Sequence, residues 1–152
     1  MSVKKIHQLE KAIVGILNID GWDLKHTGEG STKWDAAGYT PEKNGKRSKC
    51  IIEMKFRNKY YEEKMLEKDK YDSLMALDKD IIKLYFVADT KGNFMYWLND
   101  LKLPKTVKKY CPDTTMWTKK RLLKDVYLLT ENMACIINLN LKDEVIKWKE
   151  LN

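Results

Sequence analysis

The segment Lys49-Cys50-Ile51-Ile52-Glu53-Met54-Lys55-Phe56-Arg57 constrains the fold most. Side chains of an extended strand alternate between faces. Cys50, Ile52, Met54 and Phe56 therefore share one face, while Lys49, Ile51, Glu53, Lys55 and Arg57 share the other. One face asks for a core, and the other brings a glutamate and a lysine side by side. The same pattern is found on an ordinary half-exposed antiparallel strand, so alternation alone does not separate a site from a solvated face.

The surrounding sequence supplies elements for an α/β domain. Val3, Ile6, Ile13, Val14 and Leu17 recur at helical spacing, predicting a first helix over Val3 to Leu17. Trp22 to Lys25 reads as a short strand, His26 to Thr32 as a turn, and a second strand starts near Trp34. Pro41 and Asn44-Gly45 mark the loop into the third strand. Glu62 to Leu77, rich in Glu, Lys, Met and Leu, predicts a second helix. Ile81 to Ala88 and Phe94 to Leu98 are β-branched and aromatic runs joined by a turn at Asp89 to Asn93. The order is αβββαββ. Val126 to Leu129 and Ala134 to Leu139 read as further strands, and Asp143 to Leu151 as a terminal helix. The expectation is one domain over residues 1–152, with a core over about 3–98 and a basic extension over 101–152.

Composition narrows the function classes. The apolar runs fall far short of the roughly 20 residues a membrane span needs, and the opening residues lack a secretory signal, so a cytoplasmic protein is expected. Cys50, Cys111 and Cys135 are odd in number and widely spaced, which reads as reduced thiols. With only His7 and His26, histidine-based chemistry is not expected. The net charge of +7 would attract a polyanion. Between Lys102 and Lys124, eight basic residues face one acid, Asp113, with Tyr110 and Trp117 interleaved. That mixture suits phosphate contact and base stacking, and equally a solvated surface. Lys119, Lys120 and Arg121 are its densest cluster, and Arg57 adds a cation at the end of the third strand.

Asp35 lies among small and aromatic neighbours in Lys33-Trp34-Asp35-Ala36-Ala37-Gly38, unlike a residue of a solvated edge. Asp35 and Glu53 on adjacent strands can converge on one cation. Magnesium, with manganese as substitute, prefers oxygen ligands and retains waters. Two carboxylates and the Met54 backbone carbonyl would leave room for a phosphate and an attacking water, which Lys55 could position. Glu10 projects from the apolar arc of the first helix, where a carboxylate needs compensation from a metal, from a salt bridge to a core-edge lysine, or from solvent at the helix end. Lys70 lies four residues from both Leu66 and Leu74, which places its ammonium either toward a phosphate or snorkelling to water.

Asp35 with Ile51-Ile52-Glu53-Met54-Lys55, preceded by Glu10, Gly21-Trp22 and the turn Gly28 to Ser31, resembles the PD-(D/E)xK nuclease superfamily. Within it, the stretch is most similar to archaeal-type Holliday-junction resolvases and related phage endonucleases. The resemblance spans roughly Leu9 to Leu98 and implies a restriction-endonuclease-like αβββαβ core, a central mixed sheet flanked by helices. It implies that Asp35 and Glu53 bind magnesium, Glu10 assists the metal, and Lys55 orients the water. Ser31 would contact the scissile phosphate and Lys70 would correspond to an auxiliary basic residue. Branched DNA as substrate and a homodimer follow from the same resemblance. Trp34 stands where the motif carries proline, and no arginine occurs between Trp22 and Ser31. The reading is a DNA nuclease. Its rivals are a nucleic-acid-binding protein that keeps the fold without cutting, and a structural or inhibitory protein.

Overall fold

The computed structural model describes residues 2–112 and 120–137. Helix α1 spans Val3–Ile19, and the Ser2 hydroxyl accepts a hydrogen bond from the Lys5 N–H at 3.2 Å. A side-chain oxygen there satisfies one of the N–H groups that a helix start leaves unpaired. Three strands follow: β1 (Asp23–His26), β2 (Ala36–Tyr39) and β3 (Lys49–Phe56), joined as an antiparallel meander. In the loop before β3, Asn44 and Gly45 have φ values of 53° and 74°, the pair of positive angles that a tight primed turn requires.

Strand β3 then pairs in parallel with β5 (Ile82–Ala88). A parallel neighbour needs a crossover, and here it consists of β4 (Lys64–Glu67) and helix α2 (Lys68–Met75). Strand β6 (Asn93–Trp97) forms a hairpin with β5, and β9 (Ile136–Ile137) adds to β6. The central mixed sheet has the order β1-β2-β3-β5-β6-β9. A second, antiparallel sheet has the order β4-β8-β7, with β7 at Val107–Pro112 and β8 at Arg121–Leu129.

Both faces of the central sheet are covered. On one, Ile13, Val14, Ile16 and Leu17 of α1 pack on Ile52, Met54, Leu84, Phe86 and Met95. On the other, Leu66, Leu74 and Leu129, from the crossover and the second sheet, pack on Ile51, Tyr85, Val87, Phe94 and Tyr96. Fully burying one such side chain is worth about 1.5–3 kcal/mol, so these two clusters outweigh local propensity. They also explain why β5 is an almost unbroken apolar run, as strands buried on both faces are. Lys83 interrupts that run and is itself buried. Its Nζ donates to the Asp78 and Leu77 carbonyls at 2.5 and 3.3 Å, so backbone dipoles meet its charge.

The expected α/β class and the order αβββαβ are found, with β4 inserted before α2. The expected helix over Glu62 to Leu77 is corrected accordingly. Lys64 and Leu66 alternate inward along β4 and pair with β8, a partner remote in sequence. Lys70 therefore does not share a helical face with Leu66, which belongs to the strand. His26, expected in a turn, is the last residue of β1, opposite Ala36. The half-exposed reading of β3 is also corrected, since Ile51 on the charged face is buried beneath the second cluster. Among the described residues no helix is long and apolar enough to cross a membrane. The expected helix over Asp143 to Leu151, and the strand beyond Ile137, lie outside the described residues.

Candidate active site at the start of the second strand

Asp35 immediately precedes β2 and carries the pairing one residue further. Its N–H donates to the Ile52 carbonyl at 2.9 Å, and its own carbonyl accepts from the Thr27 N–H at 2.8 Å. The Thr27 hydroxyl donates to the Trp34 carbonyl at 3.0 Å, closing the turn over 27–34. Thus anchored, the Asp35 side chain reaches across to β3, where its Oδ2 accepts the Met54 N–H at 2.7 Å. The contact with Met54 runs through its N–H, while its side chain lies in the core.

Glu53 and Lys55 follow on the opposite face of β3 from Met54, as alternation requires. Glu53 is half-buried, and Lys70 Nζ approaches its Oε1 to 3.3 Å, the same distance it keeps from the Lys33 carbonyl. Burial, and then the charge of Asp35, push the Glu53 carboxyl up to about 7 from 4.5, against the pull of Lys70 and Lys55. Burial likewise raises Asp35 above the ordinary carboxylate range, opposed chiefly by the Met54 N–H. Lys55 emerges at the surface, yet protein around its amino group holds its pKa below the usual lysine range, with Arg57 adding to the effect.

Glu10 completes the acidic group from the α1 side. It is 2% exposed, and its partner is His26 Nε2 at 3.1 Å, where a core-edge lysine had been the alternative to a metal. Burial raises its carboxyl, the His26 hydrogen bond opposes this, and the charge of Asp35 raises it further. His7 lies edge-on to His26, with ring centroids 5.7 Å apart. Gly28 shows how close the groups come. A Cβ at that position would stand 2.6 Å from Glu10 Oε1, 2.8 Å from His26 Nε2 and 3.2 Å from Asp35 Oδ1. Real Cβ atoms essentially never come within 3.0 Å of a neighbour, so a side chain at this position would displace Glu10 and His26.

Burial therefore raises all three carboxyl groups, and the charge of Asp35 adds to it at Glu10 and Glu53, as expected where a cation would offset them. Among the described residues no three His, Cys, Asp or Glu side chains enclose a point as a complete metal cage. Asp35 and Glu53 offer hard oxygen donors. A magnesium ion that keeps its waters needs only one or two carboxylates, so this pair fits it where a zinc cage would not.

The other singled-out residues disperse. Ser31 is exposed in the turn over 27–32. Arg57 follows β3, with its guanidinium 5.6 Å from the Tyr61 ring centroid. Lys120 and Arg121 are exposed at the start of β8, and Lys119 lies outside the described residues, as does Trp117. Sequence reasoning missed His26 and Gly28. One available signal was that His7 and Glu10 lie on one helical face, with His7 Nε2 4.0 Å from Glu10 Oε1.

No protein-family model matches the sequence, and a search of curated proteins finds no relative. Among solved structures the fold is similar to that of Archaeoglobus fulgidus Hjc, a Holliday junction resolvase from an archaeal hyperthermophile. The TM-score is 0.54 at 10% identity, over 90% of this chain and 93% of that one. The chain thus has the mixed α/β fold of that resolvase along nearly its whole length.

Proposed function

We propose that this chain is a magnesium-dependent endonuclease that hydrolyses DNA phosphodiester bonds, with manganese able to replace magnesium and branched or junction DNA as its substrate. One observation carries the reading: Asp35 and Glu53, both raised by burial, stand with Lys55 at the junction of β2 and β3. The fold shared with a protein described as a Holliday junction resolvase supports it.

In this reading Asp35 and Glu53 would hold the ion, assisted by Glu10, with the Met54 carbonyl as a further oxygen donor. Magnesium, when bound, would supply Lewis-acid polarisation of the phosphate and a more acidic water. Lys55, on the same strand face as Glu53, stabilises the charge that develops on the phosphate and orients the water. Lys70, 3.3 Å from Glu53, would offer its ammonium to the substrate phosphate. Ser31, in the exposed turn, contacts the scissile phosphate. Two chains paired as a homodimer would present one such site to each of two strands.

The test is cleavage of four-way junction, duplex and single-stranded DNA with magnesium by the wild type, Asp35→Asn and Glu53→Gln. Each substitution should lower the rate at least about a hundred-fold, the scale of losing one charge-stabilising group. Cleavage untouched by both overturns the assignment.

A binding-only protein with this fold is favoured by one observation, the Lys70 contact that already neutralises Glu53. That protein would bind DNA with a steep salt dependence, ignore magnesium and cut nothing.

A further inference from the structure

A second cavity adjoins the candidate site and has no part in the chemistry above. A small recess of about 50 Å³ is lined by Glu53, Lys55 and Lys70, and also by Arg57, Met65 and Tyr85. The last three also line a cleft of about 450 Å³ between the central sheet and the β4-β8-β7 sheet. The two spaces therefore share a wall, and a chain leaving Glu53 past Arg57 enters the cleft. Its volume lies within the roughly 300–1,000 Å³ typical of sites for small molecules, enough for a nucleotide.

The lining has the chemistry of a strand-binding groove. Tyr61 and Tyr110 are 48% and 67% exposed, and Arg57 lies over one face of the Tyr61 ring, 5.6 Å from its centroid. Arg57, Lys109 and Arg121 come from three separate elements of the lining. Among the described residues none of these three lies within 4.0 Å of a carboxylate, whereas Lys108 and Lys124 are paired with Asp125 and Glu67. The deepest cation, Lys64, is matched by Asp89 at 2.6 Å and adds no free charge. Glu62 and Glu63 line part of the wall and would repel a phosphate, which restricts the backbone to the side of Arg57, Lys109 and Arg121.

We infer that this cleft holds an unpaired nucleotide of a DNA arm next to the scissile phosphate, its base stacked on Tyr61 or Tyr110 and its phosphate on Arg57, Lys109 and Arg121. Aromatic faces beside a basic track bind single strands irrespective of sequence, because every base has a π face. The inference rests on the nuclease reading only for the position of the cut.

Fluorescence anisotropy without divalent ions tests it, using a labelled duplex with a single-stranded thymidine arm and the same duplex without the arm. Tyr61→Ala or Tyr110→Ala, whichever ring carries the base, should weaken binding of the armed duplex by about 5- to 100-fold, the range for loss of a stacking ring. Binding of the unarmed duplex should stay unchanged, and Tyr→Phe at either position should retain the preference for the arm. Should an alanine variant fail to fold, as read by circular dichroism, Lys109→Glu with Arg121→Glu decides, because both positions are exposed and should lose the same preference. Equal losses on both probes, or none, overturn the inference. Cleavage on the same DNAs with magnesium keeps the two readings apart. A wild type that prefers the arm but never cuts removes the nuclease and leaves the cleft, whereas one that cuts without preferring the arm removes the cleft alone.

Discussion

Replacing Glu53 by glutamine should make this protein more stable while removing its activity, and the gain should depend on pH. The folded Glu53 carboxyl titrates at about 7, above its ordinary 4.5, so the fold favours the protonated form. The stability contributed by that form is fully present below pH 4.5 and is lost as pH rises through about 7. At about 1.4 kcal/mol per pH unit, the displacement corresponds to on the order of 3 kcal/mol. Glutamine is neutral at every pH and loses nothing. The lead of Glu53→Gln over wild type should therefore be near zero in acid, open between pH 4.5 and about 7, and level off above. In a chain of this size that is about 6–12 °C in melting temperature above neutrality. Thermal denaturation across pH, read by circular dichroism, measures it. Magnesium adds a second arm. A ligand that binds only the folded state raises its stability, so saturating magnesium above neutrality should raise the wild-type melting temperature and leave that of Glu53→Gln unmoved. A lead that does not grow with pH, or a wild type more stable than the variant above neutrality, would refute the picture of a carboxyl ionised at a cost.

Gly28→Ala inserts a methyl among Glu10, His26 and Asp35 and should cost about 1–3 kcal/mol in thermal denaturation, as overpacking does, with a parallel loss of cleavage. His26→Ala removes the hydrogen bond that opposes burial at Glu10, so an NMR titration of the Glu10 carboxyl should show its pKa rising above the wild-type value. Asp89→Ala leaves the Lys64 ammonium buried without its closest carboxylate and should cost about 3–5 kcal/mol in urea denaturation, where an exposed pair such as Lys68 and Asp72 should cost little.

Much of this protein is legible without coordinates because its central strands obey short-range rules. The alternation from Lys49 to Arg57 assigns Met54 to the core and Glu53 with Lys55 to the other face, since a strand's period of two holds wherever the strand is placed. The turn chemistry at Asp89 to Asn93 and at Asn44-Gly45 is equally local. Glu10 is legible as an anomaly, an acid within an apolar arc, although its partner is not.

Other features depend on contacts between residues far apart in sequence. Lys64 to Glu67 has a helix-forming composition and becomes a strand because β8, some sixty residues later, offers a ladder and a core on which Leu66 closes. His26 meets Glu10 because β1 packs against α1, and Gly28 matters because two carboxylates and an imidazole converge on its missing side chain. The amino-acid sequence by itself determined which residues carry charge on the face of β3, through alternation and hydrophobicity. The tertiary structure alone decided that this face is roofed by a second sheet and which charges crowd Asp35. Burial and proximity, the two causes that raise the Glu53 carboxyl, are properties of elements brought together in space.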